Sequence, residues 1–234
     1  MRTVIIFLCL FFSITPCLAS RNPQEIINQF DAQYSKIKDA TMDVTLDTSL
    51  QILGCSGLTR FKGKGYFKAP AKIQITLNKT IYFVHGNNIR KIDPDGKRYY
   101  VRLINAPDFT PGFNPKLIPY NFNLTTLKDG PDDIVIDGLP KPGVLKNVTK
   151  VTFHFDPKSY LLRQLDLTLI NKKKPEYIYI DYKLIDGIWV PVSCHGRSAI
   201  ELRAGLLVGL DLKLKGGNFQ LNKGLADKIF EPGF

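Results

Sequence analysis

The feature that most constrains this chain is a period of two. Met42, Val44 and Leu46 alternate with Asp43, Thr45 and Asp47. The rhythm returns at Ile73, Ile75 and Leu77, at Val151, Phe153 and Phe155, and at Leu165, Leu167 and Leu169. It returns again at Ile178 and Ile180, and at Val208, Leu210, Leu212 and Leu214. Successive side chains of a strand point to opposite faces, so each run predicts a strand with one buried and one wet face. Turn-forming stretches separate the runs, at Gly86–Asn88, Asp93–Gly96, Phe155–Ser159, Ile185–Gly187 and Lys215–Asn218. Short turns make neighbours in sequence neighbours in the sheet, which predicts an antiparallel meander of about ten strands.

One helix is predicted. Asn22 is a capping residue and Pro23 suits the first helical position. Ile26, Phe30, Tyr34 and Ile37 then form one apolar stripe on a helix of about four turns. Such a helix cannot cover the whole sheet, so another segment or a ligand must help. The candidate cover is residues 104–143, which carry prolines at 107, 111, 115, 119, 131, 140 and 142. The same stretch holds Phe109, Phe113, Leu117, Ile118, Tyr120, Phe122 and Leu124. A Pro-rich insert with this many apolar side chains reads as an ordered flap over the sheet, or as a long connection packed into the core.

Residues 1–19 combine Arg2, the apolar run 4–14 and small residues before Ser20. That pattern predicts a secretory signal peptide rather than a membrane span, because Pro16 interrupts the run short of about 20 residues. Residues 20–234 then form one domain that works outside the cytoplasm, most simply in a bacterial periplasm. The formal charge is +11, and the leader contributes only Arg2 to it. This balance favours anionic partners such as lipid headgroups. The tight cluster Lys172–Lys174 precedes Pro175 and reads as a solvated turn, and no basic stripe is interleaved with stacking aromatics, so no nucleic-acid partner is expected. Cys9 and Cys17 leave with the leader, and Cys55 and Cys194 remain as a disulfide or as two free thiols.

No catalytic constellation emerges. The histidines are His85, His154 and His195. Cys194 and His195 are adjacent, so on a strand they point apart and cannot pair as nucleophile and base. No glycine-rich loop leads from a strand into a helix, and Asp93–Gly96 reads as a hairpin turn rather than a calcium loop. No enzyme activity, cofactor or metal is expected.

Six stretches, in order, resemble one family: residues 30–45, 63–75 ("GKGYFKAPAKIQI"), 84–100 ("VHGNNIRKIDPDGKRYY"), 153–168, 181–193 and 218–232. They are similar to the LolA-like proteins, the periplasmic lipoprotein carriers and outer-membrane lipoprotein-sorting proteins, over roughly residues 22–232. The resemblance implies a mainly β, α+β fold: a strongly curved antiparallel sheet forming an incomplete β-barrel, with a lid over a hydrophobic cavity. It also implies a monomeric carrier, not an enzyme, that shelters acyl chains and delivers lipid or lipoprotein toward the outer membrane. Membrane-bound donor and acceptor proteins and transient contact with anionic membranes would be its partners. Ile73, Ile75, Leu77, Phe109, Phe113, Leu117, Ile118 and Phe122 become candidate lipid-lining residues. Ile26, Phe30, Tyr34 and Ile37 become the underside of the lid helix. Where the family has Arg before the Pro, this chain has Ala69, with Lys68 one residue earlier and so on the opposite face. Two alternatives remain. One is a lipid- or lipoprotein-sensing regulatory protein of the same fold. The other is an outer-membrane barrel, which the non-alternating end at 225–234 disfavours.

Overall fold

The computed structural model describes residues 21–52, 55–85, 88–102, 114–145, 148–170, 172, 175–201 and 207–231. Among the described residues thirteen strands form, more than the expected ten or so. The first run comprises β1 (Asp39–Ile52), β2 (Cys55–Lys68), β3 (Lys72–Leu77), β4 (Thr80–His85), β5 (Asn88–Ile92) and β6 (Arg98–Arg102). The second comprises β7 (Phe122–Asp129), β8 (Ile134–Pro140), β9 (Val148–Phe155), β10 (Leu162–Leu169), β11 (Glu176–Ile185), β12 (Ile188–Glu201) and β13 (Leu207–Leu221). Each run is a meander, and the two join where β1 pairs with β13. The order is therefore β6-β5-β4-β3-β2-β1-β13-β12-β11-β10-β9-β8-β7, with β6 and β7 as edges that do not close on each other. Two-residue turns with positive φ make the tight corners: Asn78 (46°) and Lys79 (71°) between β3 and β4, Asp186 (49°) and Gly187 (74°) between β11 and β12. Such turns match the twist of the strands they join.

The predicted helix is α1 (Pro23–Tyr34), capped by Asn22, whose side chain accepts from the Gln24 amide at 2.9 Å. It is 12 residues long. Ile37 lies just beyond it yet joins the same buried surface, and Ile27, absent from the predicted stripe, is buried too.

The helix reveals the curvature. Phe30 meets Phe155 of β9 edge-on at 5.7 Å, and Tyr34 meets Phe67 of β2 edge-on at 6.0 Å. In a flat sheet β9 and β2 would stand six spacings apart, roughly 29 Å. Phe30 and Tyr34 are one helical turn apart, 6.2 Å between rings. The sheet therefore wraps around α1, and two clusters form on its inner face. One holds Ile26, Ile27 and Phe30 with Ile134, Ile136, Phe153, Phe155 and Leu162; the other holds Tyr34, Ile37, Ala40, Phe67, Ile73, Val190 and Leu221.

The stretch 104–143 is not a single flap. Its second half is structural: a short helix α2 (Leu117–Asn121) followed by the edge strand β7 and its neighbour β8. Strands β7 and β8 were invisible to a search for clean alternation, because β8 buries Ile134, Val135 and Ile136 in succession. Residues 103–113, with Phe109 and Phe113, lie outside the described residues. No helix among the described residues is long and apolar enough to cross a membrane.

Candidate functional site

The second cluster does not fill its half of the curved sheet. Between β2–β3 and β12–β13 it leaves a groove of about 140 Å³, walled by Met42, Val44, Ile73, Ile75, Leu214 and Phe219, with Tyr34 and Ile37 at its α1 end. The wall is almost entirely carbon. Two glycines of the "GKGYF" stretch explain the space. Gly65 pairs with Met42 and Ile75 in adjacent strands, and a Cβ there would come within 2.7 Å of Val44 Cγ2. At Gly63 a Cβ would lie 1.5 Å from the Thr76 carbonyl oxygen. At Gly65 the groove is thus lined by backbone where a side chain would intrude, and at Gly63 the close approach of β3 leaves no room for one. On the other side, Asn218 (φ 49°) sits within a register shift that swings Phe219 onto the groove wall.

Beyond the groove the inner face stays apolar. Leu46 stands beside the wall residues Leu214 and Cys194 across β1, β13 and β12, and Leu212 and Leu50 continue the same face toward the far end of the sheet. Leu212 and Leu50 are exposed.

Burial shifts the ionisable groups of the inner face toward their neutral forms. Burial pushes the Tyr34 and Tyr182 phenols well above their usual range, so both are neutral hydroxyls. Burial also pushes the Cys194 thiol up, and nearby Asp181 adds to the effect. A broad hydrophilic depression with Asp181, Lys183, Asp186, Lys213 and Lys215 lies beside the groove.

Helix α1 is tied at both ends. Asp129 of β7 accepts from the Arg21 backbone amide (2.8 Å) and Nε (3.0 Å) and also pairs with Nη2, while Arg21 Nη1 donates to the Tyr160 hydroxyl at 2.7 Å. These contacts hold the Asp129 carboxyl below its usual range. At the other end, Asn222 Oδ1 accepts from the Lys38 amide at 2.8 Å and its Nδ2 donates to the Lys36 carbonyl at 3.0 Å. Asp39 accepts from the amides of Lys223 (2.8 Å) and Gly224 (3.0 Å). Lys68 donates to the Leu225 carbonyl (2.8 Å), and Lys68 and Lys72 both reach Asp227, at 3.3 and 2.8 Å, in the 3₁₀ turn Asp227–Phe230. Lys68 thus secures the segment after β13 rather than α1.

The predicted lining residues divide. Ile73 and Ile75 are on the groove wall. Leu77 is buried on the same face of β3 but outside the groove, and Ile118 and Phe122 are packed into the α1–β9 cluster. Leu117 opens α2 and is half-buried. The residues that sequence reasoning missed are Met42, Val44, Leu214 and Phe219. The first three lay in recognised strands, and only the register shows that they face Ile75.

The disulfide is a correction. Cys194 carries a free thiol. It aligns through Leu214 and Leu46 with Phe61, three strands away, and Cys55 lies six positions further along β2. Three spacings alone are roughly 14 Å, and a disulfide needs Cα atoms within about 7 Å. Cys194 faces the groove, while the His195 Nε2 lies 2.7 Å from Asp211 Oδ1 on the outer face. His154 is likewise a tie on the outer face, 3.2 Å from Asp133 and 3.1 Å from Asp166.

No protein-family model matches the chain. No curated protein matches it either. Solved structures do. A DUF1329 family protein from Desulfovibrio piger superposes with a TM-score of 0.62 at 13% identity, covering 89% of this chain and 96% of its own. A LolA superfamily protein from Nitrosomonas europaea gives 0.56 at 13% identity, with 89% and 97% covered. An outer membrane lipoprotein-sorting protein domain from Vibrio parahaemolyticus gives 0.61 at 12% identity, again with 89% and 97% covered. At these identities the likeness is one of architecture: the chain shares its open, curved β fold with these three proteins.

Proposed function

We propose that the groove takes up an acyl chain of a lipid or lipoprotein, and that the protein carries this cargo through the periplasm toward the outer membrane without chemical conversion. The observation that carries the reading is the groove itself: a wall almost entirely of carbon, with Lys215 at its margin, in a strongly basic chain. The fold it shares with a lipoprotein-sorting domain supports the same reading. A leader peptide at residues 1–19 would place the protein in that compartment.

Magnitudes decide how cargo enters. Lifting α1 would expose Ile26, Ile27, Phe30 and Tyr34, each worth about 1.5–3 kcal/mol of burial, which together rival the whole stability of a domain. The helix is therefore a fixed wall, and entry is sideways. The enclosed groove matches the roughly 150 Å³ that holds a benzene, about six carbons. At about 0.8 kcal/mol per methylene that part contributes roughly 5 kcal/mol. The rest of a long chain lies along Leu46, Leu214, Leu212 and Leu50.

The test is extraction. Residues 20–234, exported to the periplasm and purified without detergent, are extracted with organic solvent and the extract identified by mass spectrometry. An acylated species at stoichiometric amount is expected. Lipid-free protein that also fails to bind a fluorescent fatty acid would end the carrier reading.

A further inference from the structure

Strands β12 and β13 part company inside the sheet. They pair from Glu201–Leu207 to Ser193–Lys215 and, among the described residues, no further. Beyond that point β12 runs on to Ile188 against β11, and β13 runs on to Leu221 against β1. The sequence accounts for the fork. Pro191 has no N–H to give to a ladder, and inside a sheet Pro is confined to edges and bulges. The β11–β12 register shifts between Asp181 and Tyr182, which leaves Val192 unopposed, and the β1–β13 register shifts between Thr41 and Asp43. A bulge bends its strand, and these two flank the last shared pair, Ser193–Lys215.

The fork joins the apolar groove to the hydrophilic depression, because Val192, Ser193, Lys215, Gly216 and Phe219 line both. Phe219 lies over Gly216, where a Cβ would come within 2.4 Å of its Cζ. Ser193 Oγ is shut off from solvent and bonds to no protein group. Buried hydroxyls rarely go without a partner, and this one stands where carbon gives way to charge. On the far side of the fork Lys183, Lys213 and Lys215 surround, with Asp181 and Asp186, a space of about 720 Å³. Lys215 also reaches Asp47, at 3.8 Å. Register sets Asp181, Ser193 and Lys215 side by side across β11, β12 and β13. The backbones of Asp181 and Lys215 are therefore two strand spacings apart, roughly 10 Å, with the hydroxyl between them.

We infer that the depression is the headgroup site of a zwitterionic phospholipid whose acyl end lies in the groove, the two parts meeting at the β12–β13 fork. The order of the lining matches the order of such a molecule: carbon wall for hydrocarbon, Ser193 Oγ for an ester oxygen, then charges of both signs for the headgroup. A few placed polar groups beside an apolar slot fix the orientation of what enters it. A bare fatty acid leaves Asp181 and Asp186 facing a second anion. Phosphoethanolamine gives its phosphate to Lys213 and Lys215 and its ammonium to the two aspartates. The headgroup site rests on the carrier reading and names its cargo.

The test is displacement of a fluorescent fatty acid from protein 20–234 by three lauryl compounds below their micellar concentrations: lysophosphatidylethanolamine, lysophosphatidylglycerol and dodecanol. Lysophosphatidylethanolamine should displace at roughly tenfold lower concentration than dodecanol, an advantage that salt weakens. Lys183→Gln/Lys213→Gln should abolish that advantage, and Asp181→Asn/Asp186→Asn should abolish the preference over lysophosphatidylglycerol. Lys62→Gln/Lys64→Gln, whose lysines on β2 line neither space, should behave as the parent does. If dodecanol and lysophosphatidylethanolamine displace equally, the carrier stands and the headgroup site falls. If the protein takes up neither the fluorescent fatty acid nor any lauryl compound, both fall. The headgroup site also falls if lysophosphatidylglycerol matches lysophosphatidylethanolamine, or if the β2 variant loses as much as the basin variants. It falls equally if inorganic phosphate or glycerophosphoethanolamine, at the same concentration, cancels the lysolipid's advantage, since the depression would then serve a soluble phosphate compound.

Discussion

Replacing Phe30 by Ala separates two views of α1. As a movable lid, the helix would contribute little to global stability, and trimming its underside would loosen the site without unfolding the protein. As a wall, it belongs to the core. Phe30 is fully buried, edge-on to Phe155 at 5.7 Å and 6.2 Å from Tyr34, so it joins the two clusters of the inner face. Deleting a buried Phe side chain costs about 3–5 kcal/mol. For a domain of this size each kcal/mol lowers Tm by about 2–4 °C, so Phe30→Ala should melt about 6–20 °C below the parent. Urea unfolding should show a lower midpoint with an unchanged slope. A Tm within about 2 °C of the parent would refute the argument and restore a detachable lid.

Four further outcomes are expected. Asn121 is fully buried with neither Oδ1 nor Nδ2 bonded to protein, so Asn121→Leu should raise stability by about 1–3 kcal/mol in denaturant titration. Asp129 has a depressed pKa when folded, so its contribution is present above the unfolded value of about 3.9 and is lost as pH falls through the folded one. Asp129→Asn should therefore melt lower than the parent at pH 7, and the difference should shrink as the pH falls below about 3.9. Affinity for saturated fatty acids should rise about fourfold per methylene and flatten once about six carbons are enclosed, read by displacement of a fluorescent fatty acid. Cys194 should alkylate slowly and more slowly still with acyl ligand bound, measured by peptide mapping that separates it from Cys55.

How much could be read in the sequence follows from which physical signal each element emits. Strands with one wet face announced themselves: β3, β10 and β11 were all read from alternation. Strand β8 did not, because Ile134, Val135 and Ile136 are all buried and a continuous apolar run has no period of two. The helix start was legible because Asn22 and Pro23 act locally, whereas its end was overdrawn because Ile37 shares the buried surface without being helical. Ile73 and Ile75 of the groove wall lie in a strand that alternation marks. The rest depends on register: Val44 faces the cavity because Val44 opposes Gly63 in β2, and Phe219 because the backbone slips by a residue near Asn218. The choice between a disulfide and two free thiols stayed open for the same reason, since cysteine parity says nothing about how many strands intervene.

The seam between β1 and β13 has a consequence for the order of assembly. Within each meander every strand meets a neighbour made moments earlier, but Ala40 must find Leu221, and Ile52 must find Val208. Hairpins can form early on either side of that gap, yet neither meander can bend around α1 until the two are stitched, because the helix draws its contacts from both. Loop closure of this length precedes its reward, which slows the last step and leaves the unpaired edges of β1 and β13 exposed meanwhile. A nascent chain would thus hold its greasiest surface open until the penultimate stretch arrives, and a chaperone that shields β1 during that wait would matter more to yield than any single contact in the finished core.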